Sequence, residues 1–132
     1  MDTRAPPPVG TLTVRLPLPG RPRDAAAARA VLRGALTGRL PDETLGTAEL
    51  LISELVTNAI QHAGTELTVD IAHGPDVLRM AVTDGDPHLH LRGAAAPADE
   101  RGRGLSLIGA LTQAWGVRPV PGGKQVWCLL TL

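Results

Sequence analysis

Between Leu45 and Ala63 the chain carries two interlocked periodicities, and together they leave little freedom in what it can become. Leu45, Ala48, Leu51, Ile52, Leu55, Val56 and Ala59 recur at three- and four-residue steps, the apolar stripe of a helix lying on a core. Glu54, Asn58 and His62 follow one another at steps of four. They stack on one helix face a turn apart, so a carboxylate, an amide and an imidazole can address a single ligand. A solvated polar face accounts for the same spacing, and the rest of the chain must decide between the two.

A chain of 132 residues is one domain's worth, long enough to bury a core and too short for two ordinary ones. Basic and acidic residues balance at 13 each, so no net field draws the chain to nucleic acid or an anionic membrane surface. An anionic ligand must therefore be held by local geometry. Cys128 is the only cysteine and stands among Val126, Leu129 and Leu130, which excludes an internal disulfide framework and predicts a core thiol in a reducing compartment. No apolar run reaches the length of a membrane span, and Met1 to Gly10 lacks the hydrophobic region of a signal peptide. A soluble, cytoplasmic protein is expected. Phe and Tyr are absent, so Leu, Val, Ile and Ala must build the core, with Trp115 and Trp127 as its large rings.

Residues 1–10, with Pro6-Pro7-Pro8, read as a flexible arm ahead of a domain over 11–132. Thr11 to Leu16 alternates like a half-buried strand that ends at Pro17. Asp24 is expected to cap a helix from Ala25 to about Arg39, with Ala28, Val31, Leu32, Ala35 and Leu36 on its apolar side. After Pro41-Asp42 the two-period helix runs from about Glu43 to Ala63, with Gly64 at its C-cap position. Leu67, Val69, Ile71 and then Leu78, Met80, Val82 alternate on either side of Gly74-Pro75-Asp76, a β-hairpin. Its second strand leads into Asp84-Gly85-Asp86-Pro87. Periodicity is then lost from His88 to Arg101, a connection long enough in so small a domain to be a lid or binding loop. Gly102-Arg103-Gly104-Leu105 opens a further helical stripe through Ile108, Leu111, Thr112 and Trp115. A glycine-flanked helix start presents free N–H groups and the positive dipole end to phosphate, although it also serves as a plain turn. Val117 to Val120 and Gln125 to Leu132 flank Pro121-Gly122-Gly123 as a closing hairpin. This order of elements predicts a two-layer α+β sandwich.

Other chemistries lack their parts. There is no Gly-x-x-x-x-Gly-Lys-Ser/Thr loop, no paired cysteine, no His-x-x-x-His and no Gly-x-Ser-x-Gly. The run Glu54-Leu55-Val56-Thr57-Asn58-Ala59-Ile60-Gln61-His62 resembles the N box of the GHKL ATPases, the superfamily of gyrase B and histidine kinase catalytic domains. Thr83-Asp84-Gly85 resembles its first glycine box, and Arg101-Gly102-Arg103-Gly104-Leu105 its second. The short length, Trp115-Gly116 and the closing Gly122-Gly123-Lys124-x-Val126-Trp127 are similar to the free-standing anti-sigma-factor serine/threonine kinases. The resemblance covers roughly Leu12 to Leu132.

It implies a Bergerat ATP-binding fold, with a mixed sheet and three main helices packed on one face. It implies ATP and Mg²⁺ as cofactors, with Asn58 as the metal ligand and Glu54 as the general base on an attacking hydroxyl. Asp84 would accept from the adenine amine, with Gly85 beside it. Gly102, Arg103, Gly104 and Leu105 would hold the phosphates, and His88 to Arg101 would be the lid. The implied partners are a small antagonist protein, phosphorylated on Ser or Thr, and a sigma factor, and the family's habit of dimerising points to a homodimer. Departures are visible as well: Asp86 and His88 stand where the first box has glycines, Glu100 where the second often has one, and Lys124 where distant relatives have threonine. A nucleotide-gated or catalytically inactive protein-binding module is the alternative these departures leave open.

Overall fold

The computed structural model describes residues 3–9, 12–88 and 103–132. Its elements run β1 (Leu12–Leu18), α1 (Asp24–Leu36), α2 (Asp42–His62), β2 (Leu67–His73), β3 (Val77–Asp84), α3 (Arg103–Leu111), β4 (Ala114–Val120) and β5 (Gly123–Thr131). The strands form one five-stranded sheet in the order β1-β2-β3-β5-β4. All the pairings are antiparallel, so the expected mixed sheet is corrected. Both hairpins reverse through tight turns, and the long excursions through the helices return strands of alternating direction.

One face of the sheet carries the helices. Leu51, Ile52, Leu55 and Val56 of α2 pack with Leu32 and Leu36 of α1, Ile108 of α3, and Val69, Ile71, Leu78, Met80, Val82, Val126 and Cys128 of the sheet. Every residue of the stripe from Leu45 to Ala59 is buried. Each buried Leu or Ile contributes about 1.5–3 kcal/mol, and an all-aliphatic core suffices without Phe or Tyr. On the opposite face a smaller cluster of Ala81, Trp127 and Leu129 packs with Val9. Trp127 Nε1 donates to the Arg4 carbonyl at 2.9 Å, and Arg79 donates to that of Pro7 at 3.4 Å. Being covered on both sides, β5 is buried from Gly123 to Leu130. That is why Val126-Trp127-Cys128-Leu129-Leu130 reads as a continuous apolar run instead of alternating.

Local expectations need correction at three points. Pro17 does not end β1, which continues to Leu18. β1 is an edge strand, and an edge strand uses only alternate N–H groups for its ladder, so a proline is tolerated there. Asp24 does not cap α1 from outside; Arg23 holds that position. The Asp24 carboxylate instead accepts from the Gly20 and Arg21 N–H groups at 2.7 and 2.8 Å, fastening the preceding turn. The stripe from Leu105 to Trp115 is not one helix. α3 stops at Leu111, and Trp115 reaches the core from β4, alternating with Val117. Steps of three and four followed by a step of two mimic a longer helix. Gly64, at φ +64°, ends α2 in the left-handed conformation as expected. Among the described residues no helix is long and apolar enough to cross a membrane.

Cys128 is fully buried, and that burial pushes its thiol up to about 12. At pH 8 only about one part in 10⁴ is thiolate by the usual titration arithmetic. A thiol reagent is expected to leave the folded chain unlabelled and to label it fully in denaturant. Stoichiometric labelling of the native protein would contradict this packing.

Candidate functional site

The polar face of α2 is set against a wall of buried residues. Leu51, Leu55 and Ala59 anchor the helix, and this orientation leaves Glu54 and His62 half-buried. Asn58, which shares their face, is only 6 % exposed. An amide this deep normally has partners, yet the Asn58 side chain makes no hydrogen bond among the described residues. Neither does the Glu54 carboxylate. The two are one turn apart on a rigid element, with α2 packed across β3.

Asp84 ends β3 on the same side of the sheet, continuing the alternation Leu78, Met80, Val82. Register places it between Leu67 of β2 and Lys124 of β5. Lys124 Nζ lies 3.0 Å from Asp84 Oδ1 and 3.7 Å from Asp86 Oδ2. The side chains of Lys124 and Asp84 are 1 % and 0 % exposed. Oδ1 also accepts from the Asp86 N–H at 2.9 Å, whereas Oδ2 is buried with no partner among the described residues. The Asp84 carboxylate is thus held at one oxygen and open at the other.

Its surroundings are tightly specified. The Gly85 N–H donates to Thr65 Oγ1 at 2.8 Å. A Cβ on Gly123 would stand 1.8 Å from the Asp84 carbonyl oxygen, so only glycine lets β5 begin this close to the end of β3. Asp86 accepts from the His88 N–H at 2.9 Å and contacts the His88 ring at 2.8 Å. These bonds, with Lys124 nearby, hold its carboxyl down to about 2. The Asp86 carboxylate is therefore a fixed negative charge at the rim.

Gly102 and the expected lid beyond His88 lie outside the described residues. Arg103, Gly104 and Leu105 form the first turn of α3, which packs on α2. A depression of about 800 Å³ at the strand ends is lined by Leu18, Pro19, Thr65, Thr83, Asp84 and Gly85, but by neither Glu54 nor Asn58. By strand alternation the side chain of Asp84 lies on the face of the sheet that carries α2.

The donor set fits a nucleotide carrying its own metal. Among the described residues no group of three His, Cys, Asp or Glu could cage an ion. Asn58 can offer one neutral oxygen to a Mg²⁺ that takes its other ligands from phosphates and water. The buried orphan oxygen of Asp84 fits an N–H of a base. Sequence reading singled out Glu54, Asn58 and Asp84 as candidates and missed Lys124 as the partner of Asp84. The available signal was its being the only lysine in an arginine-rich chain.

Three comparisons bear on these features. An uncharacterized protein of Streptomyces coelicolor is 38 % identical over 82 residues, covering 58 % of this chain and 78 % of that protein. A crystal structure of the RsbU and RsbW domains of Rv1364c from Mycobacterium tuberculosis superimposes with a TM-score of 0.70 at 20 % identity. It covers 91 % of this chain but 32 % of that one, and at this identity the likeness establishes the shared fold. The histidine kinase-like ATPase domain matches residues 18–129, spanning every described element from α1 to β4 and most of β5. With that match, and a fold shared with a solved member of the same architecture, the chain belongs to the histidine kinase-like ATPase domain family.

Proposed function

We propose that this chain binds ATP with Mg²⁺ between α2 and the end of β3. We further propose that it acts as a serine/threonine kinase of the anti-sigma type, which phosphorylates a small antagonist protein, holds a sigma factor, or does both. The observation that carries the nucleotide reading is the open oxygen of Asp84. A buried acceptor left without a donor costs roughly 1–3 kcal/mol, and an N–H of a bound base removes that cost. The kinase reading rests on the resemblance of the N box and closing motif, and on Glu54 standing one turn before Asn58.

Bound ATP supplies the transferable γ-phosphoryl group. Glu54 takes the proton of the incoming Ser or Thr hydroxyl as that oxygen attacks phosphorus and the bond to the leaving diphosphate breaks. Asn58 presents its amide oxygen to the metal, and Asp84 orients the base. The α3 N-terminus, Arg103-Gly104-Leu105, would offer backbone N–H groups and the positive end of its dipole to phosphate. A second reading, nucleotide-gated partner binding without transfer, is favoured by Asp86, whose fixed charge stands where the family has glycine.

The Mg²⁺ dependence of ATP binding tests the site. In the wild type Mg²⁺ is expected to strengthen binding, and in Asn58→Ala that enhancement should disappear while metal-free binding changes by less than about threefold, the size of a lost weak contact. An undiminished Mg²⁺ effect in Asn58→Ala would remove Asn58 from the metal site.

A further inference from the structure

The face of the sheet away from the helices is met by residues 3–9, and the contacts of this segment recur at steps of three. Trp127 Nε1 donates to the Arg4 carbonyl and Arg79 Nη1 to the Pro7 carbonyl, while Pro6 and Val9 are half-buried and the residues around them are exposed. Three residues per turn is the period of polyproline II, the form that Pro6-Pro7-Pro8 favours. Aromatic surfaces hold such a helix by packing its apolar turns, and an indole N–H supplies a donor for its backbone carbonyls. Both donors here read carbonyls, which any proline-rich segment presents.

The resident segment satisfies this surface incompletely. Its contact with Arg79 is long, at 3.4 Å, and Arg79 Nε is buried with no partner among the described residues. A cavity of about 170 Å³ is lined by Ala5 and Pro6 from the segment and by Arg15, Asp70, Arg79 and Arg118 from the sheet. Three guanidinium groups stand there against one carboxylate, and that carboxylate is already paired with Arg15 at 2.8 Å. An acidic side chain in the place of Ala5 would fill the space and offer Arg79 a charge-assisted bond. We infer that this face is a docking surface for a proline-rich segment of another protein, one with an acidic residue directly before its prolines, and that residues 3–9 occupy it in cis until displaced.

NMR titration of the full chain with synthetic copies of residues 3–9 tests this through the indole N–H of Trp127. Trp115, on the helix side of the sheet, is the internal reference. A copy carrying Ala5→Glu is expected to move the Trp127 signal saturably and to leave that of Trp115 in place. The unaltered copy should bind about tenfold more weakly, for want of one charge-assisted bond. The Ala5→Glu copy with its prolines replaced by alanine should also lose at least about tenfold, having lost its preformed shape. A chain carrying Pro6→Gly, Pro7→Gly and Pro8→Gly has a weakened cis occupant and should bind the Ala5→Glu copy about tenfold more tightly than wild type. If neither chain binds any copy, or if the glycine chain does not fold, residues 3–9 are a fixed part of the fold and the inference is overturned. Equal binding of the alanine copy overturns it as well, since proline is then not what is read. A Trp127 signal that moves with protein concentration alone assigns the surface to a second copy of this chain and likewise overturns it.

Discussion

Replacing Lys124 by methionine is expected to destabilise the folded chain by roughly 3–5 kcal/mol, the usual cost of leaving one member of a buried ion pair. Methionine fills much of the same volume, so the loss is electrostatic rather than a cavity. The Asp84 side chain is fully enclosed, and among the described residues one of its oxygens already lacks a partner and without Lys124 the other keeps only the Asp86 N–H. For a domain whose whole stability is about 5–15 kcal/mol, that loss is a large fraction. The double variant Asp84→Asn/Lys124→Met removes the charge as well as its counterion and should recover most of the loss, because a buried pair exchanged for neutral groups is often nearly neutral in energy. Urea unfolding of the wild type and both variants reads these differences. A single variant within about 1 kcal/mol of wild type would show that the pair is not the buried, coupled unit described.

The second large effect is catalytic. Glu54→Ala should lower phosphoryl transfer to a Ser or Thr substrate by about 10²–10⁴-fold, the contribution of a positioned general base. ATP affinity should stay within about twofold, since a base that acts only on the attacking hydroxyl leaves ground-state binding unchanged. Stability should hardly move. Alanine is a better helix former than glutamate, and the buried neighbours Leu51 and Leu55 keep their contacts. Transfer that survives in Glu54→Ala would assign the base to another residue.

The helical layer was legible in the sequence because a buried helix stripe leaves a long, regular record, and α2 follows it residue for residue. Asn58 and Glu54 stand out in the sequence as candidates for a different reason. A polar face at four-residue spacing is ambiguous by itself, and only the order of Asp84 and the glycine-flanked start of α3 after it points that face toward the proposed ligand. The Asp84–Lys124 pair was not legible. It depends on the register of β5 against β3 across 40 residues, and no local pattern encodes a register. Trp115 misled because a strand that starts soon after a helix can extend the helix's apolar spacing by chance. Pro17 misled because whether a proline breaks a strand depends on that strand being at an edge, which is a property of the whole sheet.

The open oxygen of Asp84 and the polar face of α2 are proposed to make one nucleotide site. Titration calorimetry of Mg²⁺-ATP into the wild-type chain, beside the Asp84→Asn/Lys124→Met variant once urea unfolding shows it folded, tests this site. Saturable one-to-one binding by the wild type, weakened at least about tenfold in the variant by loss of a charged acceptor, is the predicted result. A wild type that takes up no ATP, or a variant that binds it as tightly as the wild type, would contradict the claim.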